Sequence, residues 1–495
     1  MAHLSQLKQT IKWRNIEWPT SPDTSTKSPE GTLELSGTLP HLEVKLTSKI
    51  NRTPEEQWQV SALIKGTMPW VWDFTINASQ TSDSKSKRAG LYTGFTLSGD
   101  LQDKNKGHLN LKVNPGRYQM AQDSAIPIFA FQGGMIKTTL TPKQLSGTGT
   151  LSIDEHKKLN LSFKLPKFDL TQGLTDTQQL SSDLSLSINS LDFLQTLSPE
   201  IKNPKGTLAL TLNTKGTVAK PKIESKIILS KASVQLPFLG LNLNTLDLNI
   251  VGKEKKWVGI GIIGAGDKKI TLKGEGLLAP EMKMELTIQG NDFPFMNTNE
   301  YQIKLSPQVK LSYAKELLNI SGTILVPYAQ IKPQSFSNSI DASEDIVFKT
   351  QVKEKKVPTI LNTKIDIKIV MGDEVEIQTK GLHATLEGTV NVTQLLQGPM
   401  SATGELNVVE GEYKAYGQDL AIEQGELFFT GGRIDNPGIN LRAAKKIDTS
   451  STTVAGTNQL LDFNNNNLQN ANVRGNISVG VEVTGRLTVP KIQLF

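Results

Sequence analysis

Apolar residues recur at every second position along much of this chain. Leu184, Leu186 and Ile188 do so, as do Leu208, Leu210 and Leu212; Ile365, Ile367 and Ile369; and Ile477, Val479, Val481 and Val483. A period of two is that of an extended strand, whose side chains point to opposite faces in turn. Each run therefore predicts a β-strand with one apolar face. The runs are short, are punctuated by Gly, Pro, Asn and Asp, and follow one another almost at once. Neighbouring strands should pair antiparallel, as hairpins or meanders.

A Gly-Thr-aliphatic triplet recurs and reads as a mark of strand starts. It stands at Gly31-Thr32-Leu33, Gly37-Thr38-Leu39, Gly149-Thr150-Leu151, Gly206-Thr207-Leu208, Gly322-Thr323-Ile324 and Gly388-Thr389-Val390. Gly404-Glu405-Leu406 and Gly425-Glu426-Leu427 vary it. Glycine can take the positive φ that a turn needs before the chain extends. A second pattern sets Gly216 before Pro221-Lys222-Ile223 and Gly485 before Pro490-Lys491-Ile492. Each instance alone is ordinary turn chemistry; recurrence along the whole chain suggests a solenoid-like array. Helical spacing is confined to residues 190–197, with Leu191, Leu194 and Leu197 three apart and Pro199 as the stop. The Asn-rich residues 463–472 and the polar residues 79–87 read as loops.

A sheet with one apolar face must bury it. A long meander can do so by curling. The expected fold is all-β: an elongated antiparallel β-strand repeat curled into a trough, β-taco or β-solenoid-like, with an apolar concave face. At roughly 11 residues per strand and turn, the chain would hold about 40 to 45 strands and span about 200 Å. The residues expected to line the groove are Leu208, Leu210, Leu212, Ile365, Ile367, Ile369, Ile477, Val479, Val481 and Val483.

Composition agrees with one wet face per sheet. Only 37% of the 495 residues are hydrophobic and 21% are charged, which is polar for such a length but not disordered. The net charge of +6 is spread thinly. No dense Lys/Arg block with interleaved aromatics occurs, which argues against nucleic acid. The absence of cysteine suits the periplasm, where stray disulfides are a hazard. No apolar run reaches signal-peptide or membrane-span length, so the chain is expected to be cytosolic or a fragment whose anchor lies upstream. Five of the six tryptophans precede residue 73 and read as hairpin packing in preference to a membrane-interface belt.

Candidate chemistry is sparse. None of the five histidines sits at metal-ligand spacing, and no Gly-x-Ser-x-Gly elbow or Walker loop occurs. The glycine-rich residues 259–266 lead into Asp267-Lys268-Lys269-Ile270-Thr271-Leu272, a turn and a strand, where a dinucleotide site needs a helix. Acids cluster at Asp341, Glu344 and Asp345 and at Asp373, Glu374 and Glu376. Paired acids serve glycosidases, but both sets fall in a turn or at a strand head, where solvated acids are common. No catalytic residue, cofactor or metal is expected.

The segment Gly404-Glu405-Leu406-Asn407-Val408-Val409-Glu410-Gly411-Glu412-Tyr413-Lys414-Ala415-Tyr416-Gly417-Gln418 continues through Leu420, Gly425-Glu426-Leu427-Phe428-Phe429 and Asn436-Pro437. It resembles the C-terminal domain of the AsmA-like TamB family. That pattern is a Gly-x-Leu strand, then Gly-x-Tyr-x-Ala-Tyr-Gly-Gln-x-Leu, Gly-x-Leu-x-Phe and a proline. The matching positions are Gly411, Tyr413, Ala415, Tyr416, Gly417, Gln418, Leu420, Gly425, Leu427, Phe429 and Pro437. Gly372-Asp373-Glu374-Val375 with Gly381-Leu382-His383-Ala384-Thr385-Leu386-Glu387-Gly388 is similar to a second family stretch. So are Val326-Pro327-Tyr328-Ala329, followed by Ser343-Glu344-Asp345-Ile346-Val347, and Leu236-Pro237-Phe238-Leu239-Gly240-Leu241. On this basis residues 1–190 are expected to be a β-repeat region and 191–495 a TamB-type C-terminal domain, cut before the family's usual terminal segment.

The resemblance implies a periplasmic protein that links inner and outer membranes and is held in the inner membrane by an N-terminal anchor absent from this chain. It implies three partners: an outer-membrane BamA/TamA-type β-barrel protein, phospholipids, and outer-membrane protein substrates including autotransporters. Two mechanisms follow. The trough is a conduit for phospholipid acyl chains, or a scaffold that offers strand edges to β-barrel proteins during assembly and translocation. An apolar face along the whole length favours the conduit slightly. The alternative is a structural or adhesin-like β-solenoid with no transport role, which would share the repeats but not the Gly404-to-Pro437 block.

Overall fold

A computed structural model describes residues 6–21, 24–53, 56–81, 90–119, 129–198, 200–278, 282–333, 362–379, 381–396, 398–415, 417–447 and 477–495. These residues form thirty strands, one helical turn at Leu194–Leu197 and a 3₁₀ turn at Pro237–Leu239. The all-β expectation holds. Many of the described strands are longer than expected: Lys202–Thr217 and Pro221–Leu236 have 16 residues each and Asn362–Thr379 has 18.

The glycine triplets explain the difference. Gly31, Gly149, Gly206, Gly322, Gly388, Gly404 and Gly425 lie inside strands, not at their starts. At Gly388 and Gly404 the backbone takes φ values of +131° and +121° within the ladder. Only glycine takes such values readily. A Cβ at Gly388 would strike the carbonyl oxygen of Glu405, and one at Gly404 that of Thr389. These residues bend a continuing strand where the neighbouring backbone comes close.

The chain divides into two units. The first holds residues 1–237, 242–263 and 277–279; the second holds 238–241, 264–276 and 280–495. In the first, Leu7–Ser21 begins a ladder that runs through Thr24–Thr38, His41–Thr53, Glu56–Thr67, Val71–Thr81, Gly94–Asp103 and Lys106–Val113. It continues through Gly133–Thr141, Gln144–Asp154, Lys157–Pro166, Gln179–Ile188, Lys202–Thr217 and Pro221–Leu236, antiparallel at every step. A small three-stranded sheet is made by Gly90–Tyr92, Gly116–Gln119 and Phe129–Phe131.

In the second unit Lys283–Gly290 and Phe293–Asn297 both pair with Tyr301–Ala314, which pairs with Leu317–Ile331. The ladder continues through Asn362–Thr379, Leu382–Gln394, Ser401–Ala415, Gln418–Arg433, Gly438–Ile447, Ile477–Arg486 and Val489–Leu494. Among the described strands one pairing breaks the expected antiparallel order: Leu317–Ile331 and Asn362–Thr379 run parallel. A hairpin turn forces antiparallel neighbours, whereas a connection of a dozen or more residues allows a parallel one. Residues 332–361 lie between these two strands.

Cross-strand partners account for several of the early aromatics. Trp13 stands opposite Gly31 and covers it, and Trp72 does the same for Gly66. Trp13 Nε1 donates to Ser28 Oγ at 2.7 Å and Trp72 Nε1 to the Pro69 carbonyl at 3.0 Å. An aromatic ring laid over a bare glycine supplies the packing the glycine lacks.

Candidate functional site

Residues directly opposed in a ladder share a face, so register shows which side chains lie together. In the first unit one row crosses twelve strands: Ile11, Leu33, Leu46, Ala62, Ile76, Leu97, Leu111, Ile136, Gly149, Leu161, Leu184 and Leu212. Every member is apolar or glycine. From Leu33 to Leu212 the side chains are half-buried, while the residues between them along each strand are mostly exposed and polar. Leu210 and Leu208 continue this face next to Leu212, opposite Leu186 and Ile188.

The second unit repeats the arrangement. One row joins Ile288, Val309, Gly322, Ile367, Val392 and Ala402. The next joins Ile324, Ile369, Val390, Gly404 and Phe429, and the next Val326, Met371, Gly388, Leu406, Leu427, Ile439 and Gly485. Ile365 is in phase with Ile367 and Ile369. Ile477, Val479, Val481 and Val483 are in phase with Gly485 and share that face. Here the side chains are packed more closely. Val390, Val392, Ala402 and Leu406 form one buried cluster, and Val326, Ala329, Val375 and Leu386 another. Ile367 is 7% exposed, whereas Val479 is 41% exposed.

The sequence block from Gly404 to Pro437 falls on the same face. Tyr413 is opposed by Leu382 on one side and by the buried Leu420 on the other; Gly411 lies opposite Ala384 and Gly425 opposite Leu441. A Cβ at Gly411 would meet Ile422, and one at Gly425 would meet Val408, so both glycines are filled by neighbours. Leu427 and Phe429 pack on the buried cluster. Ala415 and Gln418 close the hairpin around Gly417, which has φ +73°. Lys445 Nζ donates to Gln418 Oε1 at 2.7 Å. The Pro437 carbonyl accepts from Leu487 N at 3.0 Å, and Asn436 Oδ1 accepts from Thr488 Oγ1 at 3.0 Å, so this turn holds the next hairpin. Tyr416 lies outside the described residues, as do Ser343 to Val347, the acids Asp341, Glu344 and Asp345, and the Asn-rich stretch.

The opposite face carries solvated charge. Glu43 accepts from Lys45 at 2.8 Å and Lys65 at 3.1 Å, and these hydrogen bonds hold its carboxyl below the usual range. Asp373 and Glu374 are exposed, and Glu376 lies 3.8 Å from His383 Nε2 with both side chains largely in solvent. The glycine-rich segment is strand at 256–265 and leads, as expected, into a turn and the strand Lys268–Leu277.

Two connections lap back over the apolar face of the first unit. Phe168 and Leu170, from the connection 167–178, close an apolar cavity of about 270 Å³ against Phe74, Leu101, Leu109, Leu140 and Leu145. Its lining is almost wholly apolar. The second, residues 189–198, contains the helical turn. Its Leu191 is buried with Ile188 and Ala232, and Phe193 and Leu194 pack there beside Leu186, Leu208, Leu229 and Leu246. Beneath it lies Lys157, 4% exposed and the only buried charged residue among those described. Its Nζ is 2.6 Å from Asp154 Oδ2, 3.2 Å from Asp192 Oδ1 and 5.6 Å from the centre of the Phe193 ring. Burial works to lower the Lys157 pKa, but the hydrogen bonds to Asp154 and Asp192 outweigh it and the net shift is upward. The Asp192 carboxyl is held low by Ser190 and by Lys157. The alternation rule passes over this contact, although Lys157 stands in phase with Leu159 and Leu161, which is the signal that could have found it.

Comparison with known proteins bears on the same residues. The family model of the TamB C-terminal domain matches residues 261–495. These residues are similar to a TamB-type C-terminal domain. A curated relative is the translocation and assembly module subunit TamB of Haemophilus influenzae, 22% identical over 336 residues. That match takes in 65% of this chain and 24% of the relative, so the chain spans about a quarter of that TamB protein's length. Among the described residues no helix is long and apolar enough to cross a membrane.

Proposed function

We propose that the apolar face of the first unit, and that of the second where it is left half-open at Val479 and Val481, is a path for phospholipid acyl chains, within an envelope assembly of the kind named for the TamB relative. In this reading the protein works in the periplasm. An inner-membrane anchor holds it there, and an outer-membrane β-barrel protein is the partner. The observation that carries the reading is the row from Leu33 to Leu212, apolar at every side chain and half-buried throughout. A closed core between two sheets would bury such residues almost completely. A solenoid with only a structural role has no need of an apolar row left partly open across this many strands, because exposed apolar surface is a liability unless something covers it.

Assembly of outer-membrane β-barrel proteins and autotransporters is the second activity that the TamB resemblance favours. It would use strand edges, where unpaired backbone groups can take an added strand. The two readings place the substrate differently. A photo-crosslinking side chain at Ile76 faces the apolar row; one at Thr75 faces the other way. In intact cells the acyl-chain path predicts phospholipid adducts at Ile76 and few at Thr75. Equal adducts at both sites, or none at either, would refute it.

A further inference from the structure

A lysine at position 157 is out of place on an apolar face. It follows the phase of Leu159 and Leu161, and its register partner is Ile188, itself opposite Leu208. A buried ammonium needs an anion beside it. Asp154 supplies one from the same hairpin. The second comes from residues 189–198, which offer Lys157 a carboxylate and offer the apolar face Leu191, Phe193 and Leu194. One negative group next to a short run of hydrocarbon is also the pattern of an anionic amphiphile.

We propose that residues 189–198 are a built-in stand-in for a phosphate-headed amphiphile, which displaces them and takes the place of Asp192 on Lys157. The inference rests on the acyl-chain reading above and adds a headgroup site to it. Lys157 and Asp154 stay on their hairpin; the Asp192 carboxylate leaves and a phosphate anion arrives, so the charge around the ammonium is conserved. The alkyl chain takes the place of Leu191, Phe193 and Leu194 against Ile188, Ala232 and Leu208. The exchange leaves the ladder intact, because beyond Asn189, whose N–H donates to the His156 carbonyl, these residues only connect Gln179–Ile188 to Lys202–Thr217. Their regular structure is a single helical turn, with Leu194 N bonded to the Leu191 carbonyl at 3.0 Å and Gln195 N to that of Asp192 at 3.1 Å. A turn that short has little stability of its own.

The test is hydrogen–deuterium exchange on the whole, unmodified chain. Dodecyl phosphate and dodecyl maltoside are compared at equal concentrations below micelle formation. The two share an alkyl chain and differ in the head. Dodecyl phosphate should speed exchange at Leu194 and Gln195 about two- to fivefold, the scale of one lost ion pair whose carboxylate is largely exposed. Dodecyl maltoside should do much less. Lys157→Met should abolish the difference between the two, and Lys157→Arg should keep it. Asp192→Asn should speed exchange with no amphiphile present. No response to dodecyl phosphate, or the same response to both, overturns the proposal. If the crosslinker at Ile76 still takes phospholipid in that case, only the stand-in falls. If Ile76 takes none either, the acyl-chain reading falls with it.

Discussion

At Gly404 the backbone has φ +121° and leaves no room for a Cβ beside the Thr389 carbonyl. Gly432, further along the same hairpin, has no such constraint, and the nearest atom to its missing Cβ is Arg486 Nη1 at 3.4 Å. Gly404→Ala should therefore cost about 2 kcal/mol or more, and Gly432→Ala well under about 1 kcal/mol. The shift in urea midpoint of each variant checks this. The sequence marked Gly404 as special but placed it in a turn. A triplet coincides with a positive φ at Gly206, Gly322, Gly388 and Gly404 but not at Gly31, Gly149 or Gly425, and it does not report whether the ladder continues past it, because that depends on partners distant in the chain. A second contrast separates face from core. Ile367 is enclosed between Gly322 and Val392, so Ile367→Lys should unfold its surroundings at a cost of several kcal/mol. Val481 is half-buried, one hairpin from the end of the ladder. Val481→Lys can reach solvent with its ammonium, so the protein should melt near the unaltered temperature and lose lipid crosslinks at that face.

Among the elements, the strands were legible because period two survives any register, whereas pairing direction is not written in the pattern. Leu317–Ile331 and Asn362–Thr379 alternate like the rest and yet lie parallel. The leucines of residues 190–197 announced a helix and produced one turn, Leu194–Leu197, whose purpose was hidden until Lys157 was seen beneath it. That contact has a pH window. Burial disfavours the Asp154 carboxylate, but Lys157 and the His156 backbone N–H, at 2.8 Å, leave its pKa lowered; Asp192 is lowered too. A lowered carboxyl contributes stability above its unfolded pKa of about 4 and loses it as pH falls through the folded value. The raised Lys157 contributes below about pH 10 and loses its contribution as pH rises through its folded value. Protection of residues 190–198, corrected for intrinsic exchange, should be flat between about pH 5 and 9 and fall below about pH 4. Asp192→Asn should abolish most of the acid step. Because the Asp192 side chain is largely in solvent, the step should be modest and should shrink with salt.

For the molecule as a whole, class and family were readable from the sequence, because alternation and a local motif need no knowledge of distant contacts. The two-unit division was not, since it depends on which strands touch. In each unit a strand packs chiefly on its two ladder neighbours, the arrangement in which stability is a sum of nearest-neighbour steps and cooperativity is limited. All six tryptophans lie in the first unit, at positions 13, 18, 58, 70, 72 and 257. Fluorescence should therefore follow that unit alone while far-ultraviolet circular dichroism follows both. Their urea transitions should not coincide; coincident curves would mean one cooperative domain. The parallel step carries a further consequence, in the arithmetic of descent. Where all neighbours are antiparallel, gaining or losing one strand reverses the direction of every strand after it, so such a ladder changes length safely only by twos. A parallel neighbour removes one reversal. Relatives whose ladders differ from this one by an odd number of strands should differ from it in carrying or lacking such a step, and those that differ by an even number should not.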